Sequence, residues 1–230
     1  MTAAHAGIPA ASPSVIRAGQ DSTGALSQVI ADAFHDLDVS RWLLPVPAIR
    51  RRVFPAYFQL AVEHAMTHGE VYTTPGLTAV ALWLPMADEL PPPPDGYADR
   101  LAAITTPWTG QFRAFDTALG HHHPAGQAHH YLPILAVRPD QQHRGTGTAL
   151  LTAHHATLDQ DAIPAYLEAS DARTRDLYLR HGYQLRLDAP IRLPDGPAMW
   201  PMWREPQCWE GQPAPGSRSA AHGQEQGSCR

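Results

Sequence analysis

Residues 131–151 read YLPILAVRPDQQHRGTGTALL, and this stretch decides the fold of the chain. A strand that is apolar on both faces, and is therefore expected to be buried, ends at Val137, and a helix is predicted to begin at Gly147. Gly145 and Gly147 allow the backbone of the intervening loop to approach a ligand closely. The start of a helix offers unpaired N–H groups and a positive dipole end, and Arg144 can add a charged hydrogen bond. The stretch therefore predicts a site for a pyrophosphate, with a plain glycine turn before a helix as the alternative.

Two common phosphate-binding loops are excluded by composition and spacing. The chain has no Lys and no Asn, so all 17 basic residues are Arg. A Walker loop needs a Lys, and Schiff-base chemistry is excluded for the same reason. The dinucleotide fingerprint needs a third glycine and a shorter loop after the strand, and residues 137–147 offer neither. The loop must therefore belong to another class of phosphate-binding site.

The loop is part of a longer pattern, V-x-P-x-x-Q-x-x-G-x-G-x-x-L. Its fixed positions are Val137, Pro139, Gln142, Gly145, Gly147 and Leu150. This pattern resembles the coenzyme A-binding motif of the GNAT superfamily of N-acetyltransferases. The second half of the chain agrees in order, because the strand AYLEAS at 165–170 precedes a helix with LYL at 177–179 and the turn HGY at 181–183. The resemblance implies an acyltransferase that uses acetyl-CoA as its cosubstrate.

The resemblance and the order of the predicted elements imply an α/β fold of the α+β type. The sheet is expected to be GNAT-like: mixed, mostly antiparallel, twisted, splayed between its fourth and fifth strands and flanked by helices. Hydrophobic spacing predicts helices over 23–34, 48–68, 99–119, 147–159 and 174–181. Strands are predicted over 14–17, 70–74, 78–84, 131–137, 165–169, 184–188 and 198–204. Pro55 is expected to kink or split its helix, and a stiff proline-rich loop is predicted at 90–95.

Within the superfamily the chain is similar to the family of puromycin N-acetyltransferase and its relatives from antibiotic producers. The shared phrases are VALW at 80–83, PAYLE at 164–168, GP at 196–197 and WPMWR at 200–204. The similarity covers nearly the whole predicted domain and is looser before residue 70. It implies direct transfer of the acetyl group, in a ternary complex, to the amine of a small molecule of the antibiotic or specialised-metabolite type.

The resemblance also implies where the coenzyme binds. The pantetheine arm is expected to pair with the main chain at 135–137, and the pyrophosphate with N–H groups at 142–148. The implied cofactor-binding residues are Leu135, Ala136, Val137, Gln142, His143, Arg144, Gly145, Thr146, Gly147 and Thr148. His143 stands where relatives often have Gly, although its backbone N–H is retained. Asp171 stands where they often have Asn, so it is expected to cap the last helix without donating a hydrogen bond to the coenzyme.

Acetyl transfer to an amine needs a neutral amine, a polarised thioester carbonyl and an acid for the leaving thiolate. Backbone N–H groups of the splayed strand, notably at Val137, can polarise the carbonyl. Tyr178 matches the tyrosine that the family uses as general acid, and a core aromatic residue on a helix is the alternative. Glu168 can accept a proton from the substrate ammonium or anchor it, and an edge carboxylate paired with Arg180 is the alternative.

The acceptor pocket is expected to be built by the early helices and loops, where the resemblance is weakest. The aromatic candidates for its lining are Phe34, Trp83, Trp42, Tyr57 and Phe58. His129 precedes the coenzyme strand and is a further candidate for substrate binding or proton transfer. An exposed polar pair with His130 is the alternative.

No metal is expected in this chain. The histidine runs at 121–123 and 154–155 lack the spacing of metal ligands, since adjacent histidines of a helix point to different faces. Cys208 and Cys229 are too few for a disulfide framework, and they favour a reducing, cytoplasmic location. The first residues do not form a signal-peptide pattern, and no apolar run is long enough to cross a membrane.

Length and charge set the remaining expectations. The chain has 230 residues and a net charge of −5 with neutral His. We expect one domain over 14–206, between a disordered N-terminus at 1–13 and a disordered tail at 207–230. The acidic balance argues against nucleic acid as a main partner, and a monomer or a homodimer is expected.

Two other functions stay open from the sequence. The fold could use a different acyl donor, either a longer acyl-CoA or an aminoacyl-tRNA, with RRR at 50–52 as a local basic patch. It could instead be a non-catalytic module that binds acetyl-CoA, although the presence of both Tyr178 and Glu168 argues mildly against that function.

Overall fold

One mixed sheet organises the part of the chain that the computed structural model describes, residues 13–87 and 94–207. The strands are β1 (Ile16–Arg17), β2 (Glu70–Thr73), β3 (Ala79–Met86), β4 (His129–Val137), β5 (Ala165–Ala169), β6 (Gln184–Leu185), β7 (Ile191–Arg192) and β8 (Ala198–Arg204). They lie in the order β1-β2-β3-β4-β5-β8-β6, and β7 pairs with β8 beside this path. Only β4 and β5 are parallel among these pairs. The predicted mixed, mostly antiparallel sheet is confirmed.

Helices cover both faces of this sheet. They are α1 (Thr23–Phe34), α2 (Asp38–Leu43), α3 (Pro47–His68), α4 (Tyr97–Thr105), α5 (Thr109–His122), α6 (Thr146–Gln160) and α7 (Ala172–Arg180). Pro55 does not split α3, which is one helix of 22 residues. Proline removes one backbone hydrogen bond, while the flanking Phe54 and Phe58 stay buried in the core that α3 shares with α1. Packing therefore outweighs the missing bond.

The side chains of β3 divide between two cores, one on each face of the sheet. Val80, Leu82 and Leu84 join the core formed with α1 and α3. Ala81 and Trp83 point the opposite way, into the core that holds the apolar residues of α6. Because successive side chains of a strand alternate between faces, the register of β3 decides which aromatic residues can reach each side.

A bulge in β4 marks the place where the sheet opens. Leu82 pairs with Ile134 but Leu84 pairs with Tyr131, so two residues of β4 lie opposite Trp83. One of the two is Pro133, which has no N–H to donate. The pairing of β4 with β5 covers only His130 and Tyr131 and ends at this bulge. A bulge bends its strand and increases the local twist, so β4 and β5 separate beyond it, and the predicted splay is confirmed.

Several expectations fall on residues that the structure does not describe. The segment before residue 13, most of the proline-rich loop at 88–93 and the tail after residue 207 lie outside the described residues. The predicted limits of the domain therefore stay predictions. Among the helices that are described, none combines the length and the apolar composition that a membrane crossing requires.

Candidate active site

A cavity of about 1130 Å³ occupies the splay between β4 and β5 and extends over the helices beside it. One part is lined by the loop before α6 and by α7, and the other by α1, α3, α4 and α5. The prediction that both faces of β4 are buried is wrong. All residues from 131 to 137 border the cavity; Leu132, Ile134 and Ala136 are buried, while the other four are only half-buried.

The loop before α6 and the first turn of that helix present backbone N–H groups to the cavity. Gly145 has a φ of +79° and His143 a φ of +64°, a region that favours glycine. The first helical hydrogen bond runs from the Ala149 N–H to the Gly145 carbonyl at 2.9 Å. In the described part of the chain, the N–H groups of residues 146–148 have no hydrogen-bond partner. Such a helix start is suited to an anion.

The edge of β4 that faces the gap offers two more donors. The Arg138 N–H donates to the Thr78 carbonyl of the neighbouring strand at 2.9 Å. Hydrogen bonds alternate along an antiparallel pair, so the N–H groups of Val137 and Leu135 point away from β3 and into the splay. The Gln142 side chain donates to the Val137 carbonyl at 3.1 Å and thereby fixes the loop to the strand end.

Arg144, a predicted phosphate ligand, is exposed and is not among the residues that line the cavity. The cationic side chains on its wall are Arg173 and Arg180 of α7. Arg173 donates to Nε2 of His143 at 2.8 Å and so ties the loop to α7. The left-handed backbone at residues 143 and 145 turns the loop. The positive charge at this wall of the cavity therefore comes from α7 and not from Arg144.

Glu168 lies on β5 at the cavity and has no Arg partner among the described residues. Its Oε2 accepts a hydrogen bond of 2.8 Å from the Tyr131 hydroxyl. Its Oε1 and the hydroxyl of Tyr166 are buried with no partner in the described structure. Burial raises the pKa of Glu168 to about 7, against the lowering effect of the Tyr131 hydrogen bond. A carboxyl with this pKa can exchange a proton near neutral pH.

Tyr178 lies on the other side of the same gap. It is buried on α7 beside Tyr183, at a ring-centroid distance of 5.6 Å, and it also lines the cavity. Burial, followed by the charge of Asp171, raises the pKa of its phenol above the ordinary value, so it stays protonated. Its hydroxyl donates to nothing within the described residues. A hydroxyl free to donate into the cavity can serve as an acid.

His129, a predicted substrate-binding residue, lies behind the cavity wall and is only 1% exposed. Its Nδ1–H donates to the Gln127 carbonyl at 2.8 Å, which leaves Nε2 to accept from His123 at 3.1 Å. His123 contacts His129 and, unlike His129, lines the cavity. Burial lowers the pKa of His123 to about 4, so this histidine is neutral at physiological pH.

Only some of the aromatic candidates for the acceptor pocket line the cavity. Phe34, Tyr57 and Phe58 line the acceptor side of the cavity from α1 and α3. Trp83 does not, because it points to the other face of β3, where it is fully buried with its ring 4.2 Å from that of His154. Trp42 is also outside the lining, and its indole N–H donates to the Pro194 carbonyl at 3.0 Å. Trp83 and Trp42 are therefore corrected to structural residues.

Comparisons with known proteins agree with this geometry. Residues 114–185 match the model of the acetyltransferase (GNAT) domain. The structure of a histone acetyltransferase HPA2 and related acetyltransferase from Corynebacterium glutamicum aligns with a TM-score of 0.65 and 26% identity, over 86% of this chain and 99% of that one. The fold is GNAT-like. The model match and this neighbour support a GNAT superfamily acetyltransferase.

Two more distant GNAT-like structures share the fold alone. Arylalkylamine N-acetyltransferase 2 from Aedes aegypti has a TM-score of 0.56 at 8% identity, over 84% of this chain and 99% of that one. The PaiA N-acetyltransferase from Thermoplasma acidophilum, in complex with coenzyme A, has a TM-score of 0.52 at 10% identity, with the same coverage. These comparisons do not extend to the puromycin enzyme, so that narrower similarity remains a prediction.

Sequence reasoning did not single out Tyr131, His123 or Asp116 as polar residues that line the cavity. His123 was weighed only as a metal ligand. Across the described residues, no group of three or more His, Cys, Asp or Glu side chains could hold a metal ion. A signal for Asp116 is present in the sequence, since it falls between Phe112 and Leu119 on the apolar face of α5.

Asp171 caps α7, as predicted. Its Oδ1 accepts from the Thr174 N–H at 2.7 Å, and the Thr174 hydroxyl accepts from the Asp171 N–H at 3.2 Å. This capping box orients the helix that carries Tyr178 and Arg173 along the cavity wall. The cap thus supports both the helix and the wall.

Asp171→Ala is expected to lower the free energy of unfolding by about 1 kcal/mol, because it removes the side-chain acceptor of the cap. Asp171→Asn retains an acceptor oxygen and is expected to leave the stability nearly unchanged. Urea unfolding at neutral pH measures both. Equal losses in the two variants would contradict the capping role.

Proposed function

We propose that this protein is an acetyl-CoA-dependent N-acetyltransferase that acts directly, in a ternary complex, on the amine of a small molecule. The observation that carries the proposal is the position of Glu168, a carboxyl with a pKa of about 7 at the sheet splay. From there the cavity continues on one side to a helix start with free N–H groups and on the other to an aromatic pocket. One half of the cavity thus suits acetyl-CoA, and the other half suits the amine.

The donor half has the features that a pyrophosphate and a pantetheine arm require. Free N–H groups at residues 146–148, with Arg173 and Arg180 on the facing wall, suit the phosphate charge. The N–H groups of Leu135 and Val137 face the splay and suit an extended amide-bearing arm. When bound, acetyl-CoA supplies the activated thioester.

Of these two donors, the Leu135 N–H suits the acyl oxygen, which leaves that of Val137 to the arm. Leu135 is the last donor of the open edge on the side of Glu168, because Pro133 has no N–H, whereas Val137 lies at the loop end, where its carbonyl is held by Gln142. A fixed donor in a partly closed cavity stabilises charge that develops on an oxygen without reorganising. Residues on this edge therefore position and polarise the acyl group, while side chains on the two sides of the splay move protons.

Glu168 is proposed to take the proton of the incoming ammonium. Tyr131 holds one carboxylate oxygen and leaves Oε1 without a partner. A buried acceptor without a partner costs free energy of about 1–3 kcal/mol, which a substrate N–H can recover. The carboxylate form is the one that accepts the proton, so activity is expected to rise as the pH rises through about 7.

Tyr178 is proposed to give a proton to the departing sulfur. It borders the donor half of the cavity, whereas Glu168 belongs to the sheet face that carries α5. Burial, followed by the charge of Asp171, raises the pKa of the phenol, so its hydroxyl carries a proton at neutral pH and can donate a hydrogen bond to the sulfur. The proton taken from the ammonium and the proton given to the sulfur are thus transferred on opposite sides of the gap.

The acceptor is proposed to be a small amine with an apolar body, of the antibiotic or specialised-metabolite type. Phe34, Tyr57 and Phe58 give its half of the cavity aromatic walls, and Leu60 and Met86 add apolar surface. The narrower similarity to the puromycin enzyme and its relatives supports the metabolite type. A cytoplasmic location remains a prediction from the cysteine content.

A screen of amines with purified protein tests the proposal. Aminonucleosides, amino acids and alkylamines are incubated with acetyl-CoA, and thiol release is followed together with the product mass. We expect thiol release that depends on the amine and a product heavier by one acetyl group. Calorimetric binding of acetyl-CoA without turnover of any amine would instead favour a binding module. Turnover only with a longer acyl-CoA would move the proposal to another donor.

A further inference from the structure

Asp116 presents an unpaired carboxylate to the acceptor half of the cavity, away from the proposed reaction centre. It lies on α5, where Phe112 and Leu119 form the apolar face around it. Its Oδ2 accepts a hydrogen bond of 2.8 Å from the Tyr97 hydroxyl of α4. Its Oδ1 has no hydrogen-bond partner within the described ranges. One oxygen therefore remains for a ligand.

No cation of the described structure neutralises Asp116. It takes part in none of the ion pairs found there, and Arg113, one turn earlier on the same helix, is exposed and unpaired with it. Burial raises the pKa of Asp116, against the lowering effect of the Tyr97 hydrogen bond. A cationic group would supply the missing charge.

Asp116 and Glu168 are separate centres. They share no hydrogen-bond partner, since Tyr97 serves the first and Tyr131 the second. His123, whose ring centroid is 4.8 Å from that of Tyr131, directly follows the end of α5, seven residues after Asp116. Two helical turns rise on the order of 10 Å. A nitrogen held at Glu168 therefore cannot also reach Asp116, and a second nitrogen is needed.

The space between the two carboxylates is apolar and aromatic. Tyr57 of α3 lines the cavity, and its ring packs against that of Phe112, one turn before Asp116 on α5, at a centroid distance of 4.7 Å. Phe58 and Phe115 complete the wall. An apolar body fits here, with a polar group only at each end.

We infer that the acceptor carries two cationic nitrogens on the order of 10 Å apart, joined by an apolar body, and that Asp116 binds the one that does not react. This inference rests on the proposed function and specifies its substrate class. Asp116 is a binding residue in it, because its free Oδ1 receives the distal ammonium. The chemistry that recognises the substrate is thus a carboxylate at each end of an aromatic channel.

Matched amines and matched variants test the inference. The probes are diaminooctane against octylamine, and diaminobutane against butylamine, each pair differing by one terminal ammonium. The ratio of kcat/KM for diaminooctane to that for octylamine is expected to fall at least about tenfold in Asp116→Asn, since a charged hydrogen bond is lost. The short pair cannot span the two carboxylates, so its ratio is expected to stay unchanged.

Tyr97→Phe is the control for a purely structural role of the Tyr97–Asp116 contact. It removes the same hydrogen bond but keeps the carboxylate, so the diaminooctane ratio is expected to persist. A ratio that is unchanged in Asp116→Asn, or that falls equally in Tyr97→Phe, would overturn the inference. Calorimetric titration of both variants with diaminooctane gives the same comparison without catalysis. Failure of the proposed function, seen as no turnover of any amine, is therefore distinguishable from failure of the subsite.

Discussion

Replacement of Glu168 by Gln is expected to lower kcat at least about 100-fold at neutral pH, because a carboxamide cannot take the proton of the ammonium. The isosteric side chain keeps an oxygen to accept from the Tyr131 hydroxyl, so the pocket is expected to retain its shape. Steady-state thiol release with an accepted amine measures the loss. The KM for acetyl-CoA is expected to change little, since Glu168 faces the acceptor half of the cavity.

The pH profile separates a base from an anchor. With a pKa of about 7, Glu168 is protonated below this value and ionised above it. In the wild type, kcat/KM is therefore expected to rise as the pH increases through about 7 and then to level off. In Glu168→Gln this step is expected to disappear. A variant that raises the KM for the amine but keeps the kcat of the wild type would show that Glu168 only anchors the ammonium.

Glu205→Gln provides a matched control. Glu205 follows β8 at the surface, where one oxygen accepts from the Trp203 indole N–H at 2.9 Å. The same change of a carboxylate to a carboxamide there is expected to leave kcat and its pH profile unchanged. A comparable loss in this variant would mean that the effect at Glu168 is not specific to the cavity.

The anion-suited end of the cavity could be foreseen because its geometry resides in consecutive residues. Backbone N–H groups at a glycine-bearing loop before a helix need only local sequence, and the pattern at 137–150 encodes that geometry. Arg144 shows the limit of local reasoning, since its neighbours in sequence line the cavity and its own side chain does not. The charge at this wall comes from α7, about 30 positions later in the chain.

The acceptor half could not be foreseen in the same way, because it depends on which face of a strand each residue occupies. All residues of β3 up to Leu84 are apolar, so no polar alternation reveals whether Trp83 or its neighbours point to the early helices. A tertiary contact likewise places His123 in front of His129, six residues apart. In contrast, Pro133 inside an apolar strand was a readable sign that the sheet could not continue regularly there.

Replacement of Tyr178 by Phe is the second change with a large expected effect: kcat is expected to fall about 100-fold while the thermal stability remains nearly unchanged. The ring that packs beside Tyr183 is retained, and the lost hydroxyl has no partner in the described structure, so no internal hydrogen bond is broken. What is lost is the proton for the leaving thiolate. Single-turnover acetylation, together with a thermal melt of the same sample, measures both quantities.

Tyr183→Phe is the opposite case and makes the test specific. The hydroxyl of Tyr183 lies 3.0 Å from Nε2 of His155 in the core, so its removal is expected to cost about 1 kcal/mol of stability and to leave kcat nearly unchanged. A donor thioester with a more acidic thiol leaves without assistance, so it is expected to restore most of the rate in Tyr178→Phe but not in Glu168→Gln. Full activity of Tyr178→Phe with acetyl-CoA would remove Tyr178 from its proposed role and reduce it to a core aromatic residue.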